Sequence, residues 1–133
     1  MSGGKSLSIP KHIREQVDQI VADFNQKTIK NPRCFYVPRY KGKYLFLDRH
    51  NHGPVGAIAR LQYQGELTDW EFAIYKYSKS RYDPDEWMFP GFEHVDGTVE
   101  GAMKAGLKAY PLSDYNNTST LGRLLSMVFS EKR

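Results

Sequence analysis

Cys34-Phe35-Tyr36-Val37-Pro38-Arg39-Tyr40-Lys41-Gly42-Lys43-Tyr44-Leu45-Phe46-Leu47 is the stretch whose reading decides the fold. Two aromatic, β-rich runs flank Lys41-Gly42, which reads as the tight loop of a hairpin. With that loop, Tyr40 faces Lys43, Pro38 faces Leu45 and Tyr36 faces Leu47. Side chains alternate across a strand. Cys34, Tyr36, Tyr40, Leu45 and Leu47 therefore share one face. Phe35, Val37, Tyr44 and Phe46 share the other, with Arg33, Arg39 and Asp48 near the ends. Pro38 has no N–H for a ladder, which places the first strand at a sheet edge.

Both faces are apolar, whereas a sheet with one wet side alternates more cleanly. Either helices cover both faces, which is the expectation, or one face presents aromatics to a partner.

After the turn at His50-Asn51-His52-Gly53-Pro54, Val55, Ala57, Ala59, Leu61 and Tyr63 alternate with Gly56, Ile58, Arg60 and Gln62, giving a third strand. Residues 70–77 make a fourth, with Trp70, Phe72 and Ile74 on one side. Residues 78–86 read as a loop. Trp87-Met88-Phe89-Pro90-Gly91-Phe92 is a short fifth strand or a buried loop.

The flanks are helical. Ile13, Val17, Ile20, Val21 and Phe24 form one stripe on a helix of about residues 10–27, with Ser8 as its cap and Pro10 in its first turn. Asp96-Gly97-Thr98 opens a second helix. Its stripe is Val99, Ala102, Met103, Gly106, Leu107 and Tyr110, and Pro111 ends it. Gly101 and Gly106 cost helix propensity unless they let the backbone pack close to the sheet. Leu121, Leu124, Leu125, Val128 and Phe129 form a third stripe. The expected fold is α+β: an antiparallel four- to five-stranded meander with an N-terminal helix and two C-terminal helices packed on the sheet. Residues 1–133 read as one domain, loose over 1–8.

Composition narrows the functions. Two Trp, 9 Tyr and 7 Phe supply a core and argue against disorder. One cysteine, Cys34, excludes an internal disulfide and a Cys-based zinc cluster. That single thiol and the lack of an apolar leader or membrane span suggest a cytoplasmic protein.

Charge is uneven. Residues 27–49 carry seven Lys or Arg against Asp48, +7 − 1 = +6, whereas residues 83–100 carry six Asp or Glu and no Lys or Arg, −6. The two segments either neutralise each other or form separate poles.

Nucleic-acid binding is the leading expectation for the hairpin. Arg33, Arg39, Lys41, Lys43 and Arg49 would contact phosphates, and Tyr36 and Tyr40 would stack on unpaired bases. Charged residues and Pro on an edge strand also block aggregation, without any ligand. The alternative is a protein-interaction or accessory domain, in one form homodimeric, that uses aromatic surface. A small enzyme built on Asp83, Asp85, Glu86, Glu93 and Asp96 trails both, because a solvated turn and a helix cap explain those carboxylates more simply. Asp48, His50 and His52 could share an ion, but a polar turn is the simpler reading. Cys34 beside Phe35 reads as an inert buried thiol. No catalytic residue, metal site, cofactor or membrane partner is assigned.

Overall fold

The computed structural model describes residues 8–112. They form an α+β arrangement: helix α1 (Lys11–Phe24), strands β1 (Cys34–Lys41), β2 (Tyr44–Asn51), β3 (Val55–Glu66), β4 (Asp69–Lys76) and β5 (Arg81–Asp83), then helix α2 (Val99–Ala109). All neighbouring strands pair antiparallel in the order β1-β2-β3-β4-β5. The third stripe, around Leu121–Phe129, lies outside the described residues, so two helices are seen where three were expected.

The hairpin forms with a different loop. Lys41 pairs with Tyr44, so Gly42 and Lys43 make the turn. Gly42 takes φ +60° at the first loop position and Lys43 does not, the φ signs of the type II′ turn that suits strand twist. Pro38 therefore faces Leu47, and Tyr36 faces Arg49. The slip is two residues, which leaves the face assignment intact; a slip of one would have inverted it. Cys34, Tyr36, Leu45 and Leu47 are all buried.

β3 departs from strict alternation. Leu47 pairs with Ala59 but Asp48 with Ala57, so Ile58 is an extra residue in a bulge. Ile58 and Ala59 are consecutively buried, and Val55 is 55% exposed. The fifth strand also falls elsewhere than residues 87–92. Arg81–Asp83 folds back on Ile74–Lys76 after a turn at residues 77–80, and a left-handed Ser80 closes the reversal. Polar composition had hidden a short edge strand.

Both helices lie on one face of the sheet. The core joins Ile13, Val17, Val21 and Phe24 of α1 to Tyr36, Leu45, Leu47, Leu61 and Trp70 of the sheet, and to Val99, Ala102 and Met103 of α2. Pro10 is the N-cap of α1, with no side-chain cap, so Ser8 does not serve there. Thr98 caps α2 by accepting from Gly101 N, and Asp96 fixes Thr98 through both its N–H and its hydroxyl. Gly106 packs against Tyr36 and Ile58, the close approach that justifies a glycine mid-helix.

The outer edge of β1 is closed by the chain itself. α1 runs into a π-turn, Asn25–Ile29, that ends in a left-handed Lys30. The Asn25 amide there donates to Tyr36 O (3.0 Å) and accepts from Tyr36 N (2.8 Å), as a neighbouring strand would. Pro38 has no N–H, and Cys34 N is bonded to Asn31 O. The edge is thus a poor template for another strand. Asn25→Ala removes both bonds and is expected to destabilise the chain by about 1–3 kcal/mol, as measured by denaturant unfolding.

Candidate nucleic-acid interface

The seven residues expected at the hairpin separate into four groups. Tyr36 and Arg49 are in the core, at 1% and 4% exposure. Arg49 Nη1 donates to Tyr36 Oη (3.3 Å) and Gly106 O (3.5 Å), Nη2 donates to Tyr110 O, and the guanidinium lies 5.4 Å over the Tyr36 ring. It supplies a positive charge to the carbonyl end of α2, where cations are favoured. Tyr36 Oη donates to Met103 O (2.8 Å), and burial pushes its pKa up to about 12, with Arg49 opposing. Neither side chain is placed to reach a base or a phosphate.

Tyr40 is half-buried against α1. Its hydroxyl bonds Asp18 Oδ1 (2.5 Å) and Arg14 O (3.1 Å), and burial followed by the Asp18 bond raises its pKa. Arg39 is on the opposite face. Its Nε donates to Asp48 Oδ2 (3.0 Å) while the guanidinium lies 4.4 Å over Phe46. The remaining cations are accessible but dispersed. Lys41 and Lys43 are at the hairpin tip, and Arg33 precedes β1, an eight-residue strand of roughly 26 Å.

The more coherent surface is the face that neither α1 nor α2 covers. Arg39, Tyr44, Phe46, Asp48, Arg60, Tyr75 and Tyr82 share it, as the register requires: Arg39 opposes Phe46, Phe46 opposes Arg60, and Tyr75 opposes Tyr82. The Arg60 guanidinium lies 4.6 Å over Tyr44 and 5.5 Å from the Tyr82 ring centre. Phe46 and Tyr82 are 5.4 Å apart, and Tyr75 and Tyr82 4.8 Å. At the far end of the hairpin, His50 stacks on Phe35 at 4.4 Å. Burial, then the Asp48 charge, raises the Tyr82 pKa, so this ring stays a neutral phenol at physiological pH. All five strands contribute, and the sheet curls over this face, bringing Tyr82 of β5 against Phe46 of β2.

Sequence reasoning found Arg39 and the neighbouring Tyr44 on the hairpin but did not join them to Phe46, Arg60 and Tyr82. The signal was present. Carrying the hairpin parity into β3 puts Arg60 and Gln62 opposite Phe46 and Tyr44, and those polar residues mark the wet face.

The carboxylates weighed for acid–base chemistry go to separate tasks. Asp83 accepts from Asp85 N (3.0 Å) and pairs with Lys79 and Arg81, which together hold its pKa below the usual value. Glu86 pairs with Lys76, and Asp96 is spent on the α2 cap. Among the described residues no ion pair joins 27–49 to 83–100. No group of three or more metal-ligand side chains occurs among them, and no helix there is long and apolar enough to cross a membrane. Compared with protein-family models, curated proteins and solved structures, the chain has no match.

Proposed function

We propose that this chain binds single-stranded nucleic acid on the face of its sheet opposite α1 and α2. What supports the reading is the placement of Arg39, Tyr44, Phe46, Arg60 and Tyr82 on one face, part-exposed or exposed, with both described helices on the other. Aromatic rings on a sheet give unpaired bases a surface to stack on, worth about 1–3 kcal/mol per base. Arginine adds cation–π attraction and phosphate contacts there. Lys41 and Lys43 extend the positive potential to the hairpin tip, where a backbone leaving the face would pass. A duplex hides its base faces, so single strands are favoured.

The experiment is a titration of a labelled mixed-sequence single strand at increasing salt. Affinity is expected to fall linearly on a log–log plot, by roughly 0.7 per phosphate contact. Lys41→Glu with Lys43→Glu should weaken every sequence alike and flatten the slope by about 1.4. Binding that is unmoved by salt and by both substitutions would overturn the reading.

A further inference from the structure

Two surfaces, one beside β5 and one beside β1, are opposite in charge. At the β5 edge, Trp87, Met88 and Phe92 are 61%, 74% and 42% exposed. They are close together in sequence and project from a pinned segment, not a loose one. Phe89 stacks on Phe72 (5.9 Å), and Phe92 N and His94 N bond back to Phe89 O and Gly91 O. Gly91 is buried on α2 at φ +103°, where a Cβ would come within 2.5 Å of Ala105 O. A monomer seldom exposes three large apolar side chains together unless something covers them. Exposed Asp85 and Glu93 flank them, and Asp85 makes no ion pair among the described residues.

At the β1 edge, an open cavity of about 490 Å³ lies between the end of α1 and the start of β1, with Ala22, Pro32 and Phe35 as apolar walls. Its rim is cationic. Lys30 lines it, and exposed Lys27 and Arg33 follow Gln26 and Pro32, which also line it. None of the three makes an ion pair among the described residues. Among the described residues no ion pair joins the two surfaces.

We infer that the occupant of this cavity is a second copy of the chain. The Trp87–Met88 knob of one copy enters the cavity of the next, and Asp85 and Glu93 face Lys27, Lys30 and Arg33. Such a contact is heterologous: each copy uses its knob and its cavity once, so assembly grows head to tail and does not stop at a two-fold dimer. The contact leaves Arg60, Tyr44 and Tyr82 uncovered and does not depend on nucleic acid.

Sedimentation velocity of the nucleic-acid-free protein at low salt tests it. The weight-average mass should rise with concentration and fall back as salt is added. Trp87→Ala with Met88→Lys, and separately Lys27→Glu with Arg33→Glu, should each weaken association about tenfold or more. All four side chains are exposed, and circular dichroism should show both variants folded. Mixing the two variants is the decisive step. The intact cavity of one and the intact knob of the other should restore a 1:1 dimer that grows no further. A mass that stays monomeric at every concentration, self-association unaffected by either variant, or a mixture that fails to pair would overturn the inference. None of these results bears on single-strand binding, which the salt titration tests alone.

Discussion

Gly106→Ala is expected to destabilise the chain by about 2–4 kcal/mol, although alanine is the better helix former by roughly 1 kcal/mol. A Cβ at position 106 would come within 2.5 Å of Ile58 Cγ2 and closer still to Tyr36 Oη. Neither neighbour can yield cheaply. Tyr36 is held by Met103 O and by Arg49, and Ile58 is the bulged residue of β3, buried at 4% exposure. α2 would have to lift from the sheet, opening the core around Met103. Thermal unfolding should show a drop of about 8–15 °C. Lys104→Ala, at an exposed position of the same helix, should stay within about 0.5 kcal/mol of the parent.

The second large effect is at Arg49. Arg49→Met keeps much of the volume but removes the donors that serve Gly106 O, Tyr110 O and Tyr36 Oη. Two opposed terms decide the outcome. Removing a buried charge relieves its desolvation cost, and apolar replacements of buried ions are sometimes neutral. Here the partners are backbone carbonyls that methionine leaves behind, each costing about 1–3 kcal/mol if unsatisfied. The carbonyls win, and a loss of about 2–4 kcal/mol is expected in denaturant unfolding. Single-strand affinity measured below the unfolding transition should be unchanged, because Arg49 is on the helix-covered face. Arg60→Met should behave in the opposite way: stability nearly unchanged, affinity reduced about tenfold.

That contrast shows where the sequence was legible. Hairpin parity, the α1 stripe and the tight packing of Gly106 could be inferred because each follows from local periodicity or local sterics, whereas the cap expected at Asp96 falls to Thr98. The faces survived a wrong loop assignment because the error was an even number of residues. The proposed binding residues fared worse. Tyr36 and Arg49 look like ligand contacts when aromatic and basic residues are counted along the hairpin, yet both point into the core. Density along the chain carries no information about sides; only the polar residues of β3, two strands away, mark the wet face. The fifth strand was obscured for a related reason. Arg81-Tyr82-Asp83 is too short and too polar to show a period of two, and its pairing depends on the turn at residues 77–80.

The sheet face can be tested without any substitution, by following backbone amide resonances as an unlabelled single-stranded oligonucleotide is added. Shifts should concentrate at Arg39, Tyr44, Phe46, Arg60 and Tyr82, extend to Lys41 and Lys43, and leave the outward side of α1 quiet. Shifts confined to the helices, or none at saturating oligonucleotide, would contradict the assignment of that face as the binding surface.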